Sequence, residues 1–350
     1  MSTPTTVADI DAIIGTPPKM ISLKVTSALD DGCREVFAAA PAAALGIRDT
    51  AGVPRTMLVG GTAGFARAES KNRLSLPIPD GAPLPALGTG ASMVFLIPGL
   101  GETFRLNGTA AGTSDGRVAI DMTEAYMHCA RCMLRSKLWT AVPDSPPTAP
   151  PVPADGPLST PGVAAFLASS PFAAISSRDG EERADTSPRG DGPGFLHLLD
   201  GATIALPDRR GNKRADTLRN LMTCPDVSLA ALLPGSDQVL HLTGTAEVST
   251  DPELLATMAL RDKPPHAAIV VHVEHADLRQ TAVANVLWNG PRDPEHLPDL
   301  TGIAAAHVAA NTEGGRAARL LGRGLAAAPG ALTRRAMDAS YRSALRDEGY

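Results

Sequence analysis

Four stretches of the second half are short apolar or alternating runs closed by Gly, Pro or Asp: TIALP (203–207), VSLAALLP (227–234), VLHLTGTAEV (239–248) and AIVVHVE (268–274). A period of two puts every second side chain on one face, so these runs predict antiparallel strands. Helical spacing appears elsewhere. ADTLRNLMTC (215–224) predicts a short helix ending before Pro225. EAYMHCARCMLRSKLW (124–139) places Tyr126, Met127, Met133, Leu134 and Leu138 roughly on one helical face, which predicts a second helix. GRAARLLGRGLAAA and ALTRRAMDASYRSALRDEG predict amphipathic helices beyond residue 301.

The pattern occurs twice. PGLGETFRLNGTAAGTSD (98–115) lies over PGSDQVLHLTGTAEVSTD (234–251) at an offset of 136. AAPAAALGIRD (39–49) lies over SSPFAAISSRD (169–179) at an offset of 130, which also pairs Gly64-Phe65 with Gly194-Phe195 and Pro77 with Pro207. Two offsets held over such spans indicate an internal duplication. The change of offset means that the first half lacks six residues between Pro77 and Pro98, where the second half carries a basic segment.

Pro143–Pro161 holds eight prolines and reads as an extended linker. The expected organisation is a first repeat over 1–142, a linker over 143–161, a second repeat over 162–300 and a helical tail over 301–350. The expected fold class is mainly β with α (α+β), each half a small barrel with a few helices. A duplicated barrel in one chain mimics a two-fold homodimer.

Composition narrows the function. The 350 residues are 43% hydrophobic and only 3% aromatic, with 33 Gly and 31 Pro, which predicts small-residue packing and many turns. A net charge of -5 argues against a nucleic-acid partner. No apolar run approaches the roughly 20 residues of a membrane span, and the start shows no secretory signal. The four cysteines are then expected to be reduced thiols in the cytoplasm.

Candidate chemistry concentrates in PDRRGNKRADTLRN (207–220). Asn212, Lys213 and Arg214 are expected to open a helix, where free N–H groups and basic side chains suit a phosphate dianion. Arg189, in DTSPRGDGPGF (185–195), is expected within reach of the same pocket. Solvated surface cations are the alternative. HCARC (128–132) raises a thiol or zinc reading, but a structural zinc needs about four ligands. The order also reverses the C-x-x-C-H of haem attachment. His272, Glu274 and His275 fall on opposite faces of a strand and chelate poorly. No metal site is expected.

Taken together, SPRGD (187–191), Asp208 to Asn220, ETFRLNG (102–108) and the His128–Trp139 stretch resemble the pyridoxamine 5'-phosphate oxidase-like FMN-binding split-barrel family. The N-terminal stretch around IIGTPPKMISLKVTSALDDGCREVF also resembles the lead-in helix of one bacterial branch. The resemblance covers about residues 8–140 and 158–290. It implies two tandem split β-barrels forming an intrachain pseudo-dimer, with FMN between them. The phosphate turn survives only in the second half and the RSKLW segment only in the first, so the resemblance implies one composite FMN site per chain. Arg189, Asn212, Lys213 and Arg214 would hold the phosphate. Arg105, Arg135 and Trp139 would approach the ring from the other repeat, and Asp208 would face the flavin or cap the turn. The implied function is an FMN-dependent oxidoreductase acting on a small organic substrate, with NAD(P)H or another electron donor. The segment that holds substrate phosphate in the true oxidases is absent, so vitamin B6 oxidation is not expected. The alternative is a non-catalytic flavin-binding or storage protein, or a barrel repurposed for another ligand. Monomer and homodimer both fit.

Overall fold

The computed structural model describes residues 3–140, 150–290, 297–327 and 330–350. Fourteen strands form two seven-stranded antiparallel sheets. The first contains β1 (Ala42–Arg48), β2 (Pro54–Gly60), β3 (Arg67–Ala68), β4 (Arg73–Pro77), β5 (Gly90–Leu96), β6 (Thr103–Ser114) and β7 (Arg117–His128), in the order β2-β1-β5-β6-β7-β4-β3. The second contains β8 (Phe172–Arg178), β9 (Ala184–Gly190), β10 (His197–Leu198), β11 (Thr203–Asp208), β12 (Asp226–Leu232), β13 (Gln238–Ser249) and β14 (Ala267–Gln280). Its order, β9-β8-β12-β13-β14-β11-β10, is the same topology strand for strand. The duplication read from the sequence is therefore a duplication of fold. Residues 143–149 of the proline-rich linker lie outside the described residues. Within the rest, Pro157–Ser159 forms a 3-10 turn.

Each sheet encloses its own core. Leu45, Leu74, Met93, Phe95, Phe104 and Ile120 fill the first, and Ile175, Ile204, Leu229, Leu240 and Val271 fill the second. The β6–β7 hairpin closes through Asp115-Gly116, both at positive φ (51° and 69°), the backbone a two-residue hairpin requires.

A third cluster joins the repeats: Ala42, Ala44, Val94 and Leu96 meet Phe172, Ala174, Ala230 and Leu232. The alanines let the two sheets approach closely. Between them runs a buried hydroxyl seam. Thr56 Oγ1 and Ser228 Oγ are 2.8 Å apart, and their repeat equivalents, Thr186 Oγ1 and Ser92 Oγ, are 2.7 Å apart. Ser176 bonds Thr56 (2.8 Å) and Thr186 (2.9 Å) from the space that Gly46 leaves empty; a Cβ on Gly46 would lie 2.2 Å from Ser176 Oγ.

The helices cross between repeats. Ile10, on the helix Val7–Ile14, is fully buried in the second core. The helix Leu300–Ala310 follows the second repeat but buries Leu300, Ile303 and Ala304 in the first core. The helices Gly315–Ala327 and Gly330–Glu348 follow. Among the described residues, no helix is long and apolar enough to cross a membrane.

Two local expectations fail. Glu124 to His128 are not helical; they complete β7, and only Arg131–Ser136 forms a helix. Ala125, Tyr126 and Met127 are buried in succession, because this strand end is covered on both faces, and burial on both faces erases the alternation that identifies a strand. Asn212, Lys213 and Arg214 also do not open a helix. Lys213 and Ala215 adopt positive φ (62° and 52°), and the helix begins at Asp216 and ends at Asn220.

Candidate functional site

A cleft of about 550 Å³ lies where the two repeats meet. The second repeat contributes β9 through Arg189 and Gly190, the end of β11 through Pro207 and Asp208, and the turn Arg209–Asp216. The first contributes Arg105 from β6, His128 from the end of β7, and Cys129, Arg131, Cys132 and Arg135 from the segment that follows. The helix Arg131–Ser136 can sit here because Gly190 has no side chain: a Cβ there would meet the Cys132 carbonyl oxygen at 2.4 Å. Positions 131 and 135, one helical turn apart, then project into the cleft together.

The cleft is strongly basic, and its cations differ in how far they are committed. Arg105 is 1% exposed and pairs with Asp185 of the other repeat, with Asp216 3.5 Å away. Arg214 pairs with Asp216 (2.9 Å) and Glu124 (3.2 Å), and its guanidinium lies 3.9 Å from the Tyr126 ring centroid. Arg214 thus clasps the first repeat, and its guanidinium is spent there. Arg189 pairs with Asp208 at 2.5 Å, yet its buried Nε has no partner. The Lys213 ammonium has no partner among the described residues. Asn212 Oδ1 accepts the Arg214 N–H at 3.0 Å and pins the turn. Arg209 pairs with Asp191 at 2.6 Å, and Arg210 Nε lies 3.1 Å from His266 Nε2.

Protonation states follow from burial. Burial, helped by the charge of Arg105, holds His128 well below the usual imidazole range, so the ring is neutral. Burial and the neighbouring Cys129 push the Cys132 thiol up to about 12. The Cys-x-x-Cys pair therefore lines the cleft with one protonated thiol that is not a ready nucleophile. Burial alone would raise Asp216, but Arg105 and Arg214 outweigh it and keep the carboxyl below the usual range.

The far end of the cleft is covered by the helix Gly330–Glu348. Glu348 reaches Arg131 at 3.2 Å and Arg135 at 3.0 Å. Tyr350 donates its hydroxyl hydrogen to Asp191 Oδ1 at 2.7 Å and sets its ring 5.8 Å from the Arg135 guanidinium.

Residues 159–280 match the family model for pyridoxamine 5'-phosphate oxidase. The protein has a pyridoxamine 5'-phosphate oxidase-like fold. No curated protein matches the chain. Solved structures similar to parts of it include HupZ of Group A Streptococcus, at 18% identity over 33% of this chain and 90% of that one, TM-score 0.28. HutZ of Vibrio cholerae, described as a heme storage protein, gives 16% identity, 35% and 93% coverage, and TM-score 0.25. A Clostridium acetobutylicum protein related to general stress protein 26 gives 14% identity, 33% and 84% coverage, and TM-score 0.26.

The two pyridoxamine 5'-phosphate oxidase-like repeats are not equivalent at this cleft. The offset of 130 puts Val59 opposite Arg189 and Ile78 opposite Asp208, and pairing Trp139 with Trp288, an offset of 149, puts Ala284 opposite Arg135. All three are buried and apolar. The mirror position has been filled with hydrocarbon.

Seven of the eight residues singled out in the sequence line the cleft: Arg105, Arg135, Arg189, Asp208, Asn212, Lys213 and Arg214. Trp139 stands elsewhere. Its ring packs on Trp288 between the repeats, and its Nε1–H donates to the Leu100 carbonyl oxygen at 2.7 Å. Sequence reasoning missed His128 and Arg131 as cleft residues. Helical spacing from Arg135 could have found Arg131. Glu348 and Tyr350 carried no signal, because only the path of the last helix brings them here.

Proposed function

We propose that this cleft binds one FMN per chain and that the protein is an FMN-dependent oxidoreductase acting on a small organic substrate. One observation carries the reading: this basic cleft is built from both repeats, while the mirror positions hold Val59, Ile78 and Ala284. The donor set fits the cofactor. The unpartnered Arg189 Nε and the free Lys213 ammonium suit a phosphate dianion. Ile14, Pro18, Pro188, Pro207 and Phe195 offer apolar surface to a planar ring. When bound, FMN supplies hydride or single-electron chemistry. The chain's residues orient it, and Arg131 and Arg135 add positive potential at the far end.

A second reading, a protein that holds flavin without turnover, is favoured by Glu348 and Tyr350 closing that far end. The absorbance spectrum of the purified protein, with release and identification of the chromophore, tests both. Flavin at one equivalent per chain, bleached by NAD(P)H or a substrate and restored in air, supports the oxidoreductase. Bound flavin that never turns over supports the holder. Two equivalents per chain, or no flavin affinity, overturns the composite site.

A further inference from the structure

Away from the cleft, three side chains from opposite ends of the chain converge on the flank of the first repeat. A carboxylate oxygen of Asp30, Cys33 Sγ and a ring nitrogen of His307 lie within 4.8 Å of one another. Asp30 and Cys33 share a turn because Asp30 caps the helix Asp31–Ala39, its Oδ1 accepting the Cys33 N–H at 2.9 Å. Oδ2 remains, 3.0 Å from His307 Nε2.

His307 is 2% exposed. Its Nδ1 lies 3.1 Å from the Lys24 carbonyl oxygen, which can only accept, so Nδ1 carries the proton. In the neutral ring Nε2 is then a lone pair. It is buried, has no hydrogen bond of good geometry, and points at a carboxylate. Two acceptors this close require positive charge between them. A second ring proton would supply it without engaging Cys33 Sγ, which would then serve only as a packing group of the first core. A metal ion uses all three groups. A backbone carbonyl fixing the far ring nitrogen is also the usual support of a metal-binding histidine.

We propose that Asp30, Cys33 and His307 bind a divalent zinc-like metal ion. One imidazole, one thiolate and one carboxylate form a mixed donor set that suits zinc, and the two anionic ligands balance its charge. Three protein ligands leave a fourth position. Asp30 and His307 line a cavity of about 650 Å³ that also carries Glu313, so water or a ligand atom can reach that position. The ion clips the helix Leu300–Ala310 to the first repeat.

The test uses the full chain, stripped with chelator and titrated with Co²⁺. The expected result is one ion per chain, a thiolate-to-cobalt charge-transfer band, and displacement by Zn²⁺. Cys33→Ser removes the band. Asp30→Asn keeps the helix cap but lowers affinity roughly tenfold or more, on the scale of ligand-shell substitutions. It decides the matter if Cys33→Ser does not fold. The proposal is overturned if the wild type gives no band, or if Asp30→Asn binds cobalt unchanged. It is also overturned if the band survives Cys33→Ser and is lost in a Cys129→Ser, Cys132→Ser variant.

Discussion

Trp139 and Trp288 meet between the repeats, their ring centroids 5.8 Å apart and the planes inclined at 50°. Each donates its indole N–H to a backbone carbonyl at 2.7 Å, Trp139 to Leu100 and Trp288 to Ser236, which correspond at the repeat offset of 136. The pair is the pseudo-two-fold relation expressed in two side chains. Trp139→Ala and Trp288→Ala should therefore destabilise the protein by similar amounts, about 3 kcal/mol each. Denaturant unfolding of both variants measures this, and flavin absorbance should be unaffected in the folded protein.

Gly46 leaves the space that Ser176 fills in the hydroxyl seam. Gly46→Ala should cost about 1–3 kcal/mol through overpacking. Thermal unfolding checks it, and Ser176→Ala in the same chain should recover part of the loss.

In the cleft, Arg189→Ala combined with Lys213→Ala should weaken FMN binding by two orders of magnitude or more, at about 1.5–3 kcal/mol per charged hydrogen bond. Arg214→Ala should behave differently. Its guanidinium is committed to Asp216, Glu124 and Tyr126, so the expected loss is mainly in stability. Calorimetric titration alongside unfolding separates the two effects.

Glu348→Gln removes the counter-charge of Arg131 and Arg135. FMN association should become several-fold faster and more sensitive to salt. Stopped-flow fluorescence at two ionic strengths reads both quantities.

His128 and His241 have imidazoles depressed chiefly by burial. The unfolded chain binds their protons first, so their contribution to stability is complete above about pH 6.5 and is lost as pH falls toward the folded values. Stability should fall by up to about 1.4 kcal/mol per pH unit for each ring in that window. Unfolding measured between pH 7 and pH 5 should show a shallower slope for His128→Gln and for His241→Gln.

The sequence by itself determined the duplicated topology, because strand alternation, turn glycines and a constant offset are local signals that survive in each copy. It also determined which half keeps the basic turn, since a six-residue deletion is visible in an alignment of the chain with itself. The tertiary structure decided how these residues spend their charge. Arg214 and Arg105 have the same composition signal as Arg189, but only packing shows that Asp216, Glu124 and Asp185 have claimed the first two. The family resemblance placed Trp139 beside a flavin ring, and only the tertiary structure shows it as the partner of Trp288. The end of β7 was unreadable as strand because both of its faces are covered. Asp30, Cys33 and His307 share no spacing at all. Contacts between distant segments depend on how helices dock on a finished sheet, and no periodicity along the chain encodes that.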